Sequence, residues 1–391
     1  MQLFGSLQRR FEGKGLCGLR GLLSGRPRLF YVILIFIATV VIFISCKPVF
    51  ADKYYVVERA DSSLGIVSHN KLTGIIKRIG NGTHVIVYFG RHYGYAISRN
   101  GYLSKIDTKT NRIIKQKKVS IDTVDFCLSK NYIAVANYDP NDVVILNKDL
   151  KTIKTIKTGS RNIGVEFYKN YLIFELMGKD QIWVVNISKG FKVVKKIKNI
   201  GKLPIDALVS GHDYIAAFLL GEKFGVLNLN TLEYHIVTYG GKENFPHQIP
   251  HYGIYSIWNN KAFIPAAGEK KLVVMNLKTR KKIGSVNLIG YPIFIIFSPD
   301  RKVMAINYSG SRHDYLTLID AKDMKVIKNI KAGRRIMFMS FSGQGRLIYA
   351  SDYFGNSVNV FDARTGKELD RIPVPSPSGI FRVPDKLYKQ Q

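Results

Sequence analysis

VVILN at 143–147 is a continuous apolar strand ending in Asn, and the same cassette recurs along the chain. Toward the C terminus stand IWVVN (182–186), FGVLN (224–228), LVVMN (272–276), LTLID (316–320) and VNVFD (358–362). Toward the N terminus stand LSKID (103–107) and LGIVS (64–68). Successive copies begin 39, 40, 39, 42, 48, 44 and 42 residues apart. Each is preceded by a β-rich strand and a polar break, and followed by a Lys-rich strand and a Gly or Pro. Val, Ile, Tyr and Phe dominate, as a pleated buried surface requires. From residue 54 onward no long stretch carries an i, i+3, i+4 apolar stripe. Eight units at a period of ~40 residues predict an all-β, eight-bladed β-propeller of four-stranded blades.

The first unit opens at Tyr54 without an inner strand, and SGIFRV (378–383) follows the last unit as an unassigned strand. The C-terminal strand is therefore expected to close the ring as the inner strand of the first blade, which removes an open edge. The expected organisation is a segment 1–51, a propeller 52–383 and a frayed tail 384–391. Ligand groups are expected in the inner strands and in the turns after the first and second strands of each blade.

Residues 1–28 hold six basic residues and one acid, and Leu29 to Ser45 is uncharged (LFYVILIFIATVVIFIS). This order reads as an export signal or an N-terminal anchor helix. Phe43-Ile44-Ser45-Cys46 resembles a lipobox with Phe43 in place of an aliphatic residue; cleavage after Ala51 and an uncleaved anchor are the alternatives. All three place the globular part outside the cytoplasm, at a periplasmic or extracytoplasmic membrane face.

The 391 residues are 46% hydrophobic, which excludes a disordered chain. The net charge is +31, of which +25 lies in 48–391. Lysines are scattered through every repeat and no nucleic-acid motif occurs, so nucleic acid is not the expected partner. Solvated blade faces, anionic lipid or a polycarboxylate ligand fit the charge. Three cysteines (Cys17, Cys46, Cys127) exclude a disulfide framework and a Cys-ligated cluster. No C-x-x-C-H occurs, so no covalent c-type haem is expected. G-x-S-x-G, H-E-x-x-H and G-x-G-x-x-G are absent too.

The channel-facing candidates are His84, Arg99, Asn137 with Tyr138, Asp206, His247, His251, and Asn307 with Tyr308. Singly, each has a structural reading: a core histidine, an ion-paired turn arginine, a capped turn. Together they suit a planar, carboxylate-bearing ligand with a central metal, which needs an imidazole, basic forks and aromatic faces.

DKYYVVERADSSLGIV (52–67), NGTHVIVYF (81–89), YAISRNGYLSKID (95–107), IAVANYDPNDVVIL (133–146), GKLPIDALVS (201–210), IPHYGIYSIWNNKAFIPAAG (249–268) and SPSGIFRV (376–383) together resemble the d1-haem propellers. That group holds the NirF-type haem d1 biosynthesis proteins, the d1 domain of cytochrome cd1 nitrite reductase and the cytochrome-like dehydrogenase of the same pathway. The haem-carrying relatives add a c-type domain of ~100 residues, for which this chain has no motif. The resemblance thus implies a late step of haem d1 biosynthesis for denitrification, acting on a haem d1 precursor such as dihydrohaem d1, and not nitrite reduction. It places His84 at the iron, with Arg99, Asn137, Tyr138 and Asn307 around the tetrapyrrole. Asp206 and His251 stand near its edge as proton carriers. Phe338 stands where the family commonly has His, and 246–254 lacks the usual Glu-Gly-Trp. A tailoring enzyme, a non-catalytic haem d1 carrier and a generic extracytoplasmic interaction propeller all remain open. Expected partners are the membrane, other haem d1 biosynthesis proteins, nitrite reductase and a second copy in a homodimer.

The anchor has a direct test. Cys46→Ala releases the protein from membranes or blocks its processing if Cys46 is acylated; a variant retained in the membrane at full length identifies an uncleaved helix instead.

Overall fold

The computed structural model describes residues 52–240 and 256–388. The expected signal or anchor and the two histidines His247 and His251 lie outside the described residues. Among the described residues no helix is long and apolar enough to cross a membrane. The residues from Asp52 onward form one compact unit.

Eight four-stranded antiparallel sheets make up this unit. Seven are simple meanders in chain order, from the inner strand outward. Blade 2, for example, runs Val85–Phe89, Gly94–Ser98, Tyr102–Asp107 and Arg112–Lys118. Blade 1 is composite: Lys53–Glu58, Ser63–Ser68 and Lys71–Ile76 receive the C-terminal strand Pro377–Val383 as their inner member. The eight cassettes occupy the third strands, within one residue of their sequence positions.

The strand types follow from where each sits. Second and third strands are buried on both faces because blades stack on neighbours on either side, so Tyr54, Tyr55, Val143 and Ile145 are all 0% exposed. The outer strands face solvent and alternate, as in KVVKKIK (Lys192–Lys198). Their lysines blunt an edge that could pair with another chain, and the Lys196 ammonium lies 3.9 Å from the Trp183 ring centroid. The Asp or Asn that ends most cassettes makes the next turn. Asn147 Oδ1 accepts the Asp149 and Lys151 N–H groups, and Asp362 Oδ1 accepts those of Arg364 and Thr365. Such a side chain caps the reversal into the outer strand.

The antiparallel order fixes which turns share a face. Turns after second strands lie with the connections that enter inner strands; turns after inner strands lie on the opposite face. The expectation that both turn types serve one site is therefore corrected. The upper mouth is built by inner-strand starts and second-to-third-strand turns alone.

Closure is pinned by charge as well as by the ladder. The register runs Lys53↔Val383 to Glu58↔Pro377. Arg382 Nε meets Asp52 Oδ1 at 2.7 Å, and Asp52 Oδ2 accepts the Gly343 N–H at 2.9 Å from blade 8. Residues 384–388, expected to fray, are instead packed. Asp385–Leu387 form a 3-10 turn, Leu387 is 3% exposed, and its carbonyl accepts the Thr108 hydroxyl at 2.8 Å. An apolar side chain finds a core position there, and burial offsets the entropy of ordering the tail.

Deleting 377–391 should leave Lys53–Glu58 paired on one side only, as an open edge facing the channel, and abolish cooperative melting of the domain. Arg382→Ala should cost about 1.5–3 kcal/mol, the range for a hydrogen-bonded charged group, read as a lower thermal midpoint.

Candidate functional site

Inner strands of six blades carry a bulge near the upper mouth, where the backbone gains an unpaired residue and a neighbouring side chain is re-aimed. In blades 3, 4 and 5 the first residue after the bulge is acidic: Asp125, Glu166 and Asp206. With Tyr88 of blade 2 they form one side of the channel. Tyr88 is 44% exposed, but to channel water rather than bulk, since inner strands surround it. The other side is aromatic. Phe294, Phe338 and Phe381, from blades 7, 8 and 1, follow one another with centroid separations of 5.0 and 5.9 Å.

The carboxyls share a low-dielectric space. Burial first, then the Asp125 charge, pushes Asp206 up to about 8. Glu166 is pushed up to about 8 by burial and then by Asp125 and Asp206. Asp125 is pushed up by burial to about 7, although backbone N–H groups, among them Val165 N–H at 3.0 Å from its Oδ2, pull the other way. Behind them Glu175 is 0% exposed and burial drives its carboxyl far up. Among the described residues no group of His, Cys, Asp and Glu is placed to hold a metal ion.

At the mouth, Arg99 grips Asp122 with a fork: Nε to Oδ1 is 2.6 Å and the second nitrogen to Oδ2 is 2.9 Å. Tyr138 lies between two guanidiniums, with Arg99 at 5.3 Å and Arg161 at 5.5 Å from its ring centroid. Arg161 makes no ion pair among the described residues. His84 directly precedes the inner strand of blade 2, half-buried, and its Nε2 lies 2.9 Å from the Val124 carbonyl. A carbonyl accepts only, so Nε2 carries the proton.

The site residues expected from sequence therefore separate into two groups. His84, Arg99, Tyr138 and Asp206 stand at the mouth or in the channel. Asn137 and Asn307 do not reach it: both are 0% exposed and serve as staples. Asn137 Nδ2 donates to Asp142 Oδ1 at 2.8 Å, while Asn307 takes the Phe294 N–H and donates to the Ile336 and Met337 carbonyls across to blade 8. A bulge strands backbone groups, and the Asn307 amide satisfies those beside it, while the Asn137 amide is held by the Asp142 carboxylate. Tyr308 is buried too, bonded to Thr317. Arg161, Asp125, Glu166 and Glu175 were missed. A signal existed: Val124-Asp125-Phe126, Val165-Glu166-Phe167 and Ile205-Asp206-Ala207 put an acid between apolar residues 41 and 40 residues apart, at one repeat position.

The chain is an eight-bladed propeller whose channel mouth carries arginines and whose channel has an acidic and an aromatic side, a lining with the chemistry for a flat, carboxylate-bearing ligand. The chain matches the family model described as cytochrome D1 heme domain over residues 50–386, and it belongs to that family. It is 29% identical to Protein NirF of Stutzerimonas stutzeri and 27% identical to Protein NirF of Pseudomonas aeruginosa; each match covers 84% of this chain and 91% of the relative. The solved structure of dihydro-heme d1 dehydrogenase NirN in complex with DHE superposes with a TM-score of 0.73 at 19% identity, covering 86% of this chain and 76% of that one.

The raised acids set a sign for stability against pH. Their folded-state values exceed those of the unfolded chain, so the native state binds more protons between about pH 4 and pH 8 and stability falls as pH rises through that window. Glu166→Gln should therefore raise the melting temperature at pH 8.5 by about 2–4 °C and have little effect at pH 5. An equal shift at both values would place Glu166 outside the charged cluster.

Proposed function

We propose that this protein binds a haem d1 precursor at the upper mouth and acts in a late step of haem d1 biosynthesis. The observation that carries the reading is the d1 haem-domain family match over 50–386, laid on a channel whose residues suit such a ligand. The tetrapyrrole is substrate or cargo here. Arg161, with a guanidinium not taken by an acid among the described residues, is the fork for a ring carboxylate; Arg99 is already held by Asp122 and positions Tyr138. The Phe294–Phe338–Phe381 lane offers ring faces for stacking. When bound, the iron of such a ring takes a neutral imidazole nitrogen. His84 brings an imidazole to the mouth, oriented by its Nε2–H on the Val124 carbonyl. Phe338, where the family commonly has His, puts an apolar face on the opposite wall, so His84 is the imidazole of this arrangement among the described channel residues. The channel acids hold protons near the ring.

The remaining features of the reading rest on sequence. The basic segment and the uncharged run 29–45 support an extracytoplasmic, membrane-attached protein, and a tetrapyrrole made there passes on to nitrite reductase or to other proteins of the pathway. The +25 charge of 48–391 favours approach of a polyanionic ring.

Titrating the purified full chain with dihydro-haem d1 should give saturable binding with a shifted visible spectrum. His84→Ala should bind with an altered spectrum and fail to support haem d1 formation in cells, and Arg161→Ala should weaken binding by about tenfold, the loss of one charge-assisted contact. Chemical change of the tetrapyrrole in a single turnover identifies an enzyme, and its release unchanged identifies a carrier. A flat titration would remove the proposal.

A further inference from the structure

Asp125, Glu166 and Asp206 occupy one repeat position on three successive inner strands, each first after its bulge. Glu175 lies behind this row, on the second strand of blade 4, and both of its oxygens lack a hydrogen-bond donor. The polar group beside it is the Tyr214 hydroxyl, whose one proton goes to the Gly164 carbonyl at 2.5 Å. Burial favours the neutral, proton-bearing form of Glu175, against the pull of the Tyr214 hydroxyl. Gly164 is the window between Glu175 and the channel. It has φ +59, and a Cβ there would stand 2.8 Å from Glu175 Oε2 and 2.9 Å from the Tyr214 hydroxyl. The titratable groups facing the row are Tyr88 from blade 2, Cys127 from blade 3 and Tyr214 from blade 5. On the mouth side stand His84, on the Val124 carbonyl, and Tyr138 between its guanidiniums. Asp125 acts on Glu166 and Asp206, and Asp206 acts on Glu166; among the described residues no Lys or Arg figures among the causes of the three shifts.

We propose that Asp125, Glu166, Asp206 and Glu175 form a proton-holding site in the channel that takes up protons when a carboxylate-bearing tetrapyrrole docks above it. This rests on the tetrapyrrole reading of the mouth. A row of anions beneath an anionic ligand repels it, whereas a row of neutral acids does not and can donate hydrogen bonds upward. The ligand's charge enters the same low-dielectric space and draws further protons onto the row. Linkage then requires that affinity fall as pH rises through the range in which the row ionises. The row thereby selects the protonated channel as the binding-competent form and leaves protons stored beside the ring.

The experiment is calorimetry of the full chain with dihydro-haem d1 in two buffers of different ionisation enthalpy, with affinity followed from about pH 6 to pH 9. The expected result is a buffer-dependent heat that reports proton uptake, and an affinity about tenfold weaker at the upper end, the change expected for one proton taken up per pH unit of titration. The isosteric pair Glu166→Gln with Asp206→Asn should bind with the pH dependence flattened. Infrared difference spectra of the ligand-free protein provide a second readout, with a protonated carboxyl band at neutral pH that is reduced in the pair. Binding with buffer-independent heat and a flat pH profile overturns the coupling and leaves the tetrapyrrole reading intact. Absence of the protonated band overturns the proton-holding site whatever the ligand does, and absence of binding overturns both readings.

Discussion

The inner strand of blade 1 comes from the far end of the chain, and every other feature depends on that pairing. A propeller has no hydrophobic core at its axis. Its stability lies in the faces between neighbouring blades, and an open ring leaves two such faces and a strand edge in water. Pro377–Val383 closes the ring along Lys53–Glu58, and the Arg382–Asp52 pair ties the closing strand to the first residue of the domain. The Asp52 carboxylate reaches Gly343 as well, so one side chain joins the first blade, the closing strand and the last blade.

A closed ring makes the inner strands converge, and the bulges decide what they present. A regular strand would alternate side chains between the two neighbouring blade interfaces. The extra residue breaks this alternation near the mouth and sends one side chain per strand inward. In blades 3 to 5 that side chain is a carboxyl and in blades 7, 8 and 1 the lining is Phe, so the channel is divided lengthwise into an acidic and an aromatic side. The bulges also free backbone groups. Asn307 and Ser351 satisfy them, with Asn307 bonded to Phe294 N–H and Ser351 Oγ accepting the Phe338 N–H.

Charge is distributed against the overall balance. A chain of net charge +31 sets rows of lysines on solvent-facing outer strands, such as Lys192–Lys198, and places a row of acids at its axis. The outer charge is screened over about 8 Å at physiological ionic strength, so it guides approach but does little to the buried row. The acids are governed by burial and by one another, which is why they hold protons near neutrality while the surface stays cationic.

The repeat, the blade count and the closing strand were legible in the sequence, because each is local or periodic: a cassette every ~40 residues and an orphan strand after the last. His84, Arg99, Tyr138 and Asp206 were placed at the channel for the same reason, since position within a unit fixes the face of the ring. What sequence could not settle was the direction of each side chain. Asn137 and Asn307 have the composition of ligand groups, yet the buried Asp142 carboxylate claims the first amide and backbone groups beside a bulge claim the second. Asp125 and Glu166 share a repeat position with Asp206, but only three strands meeting at an axis, with Gly164 open between them, join them and Glu175 into one group. Periodicity lies along the chain, while proximity across the channel belongs to the closed ring.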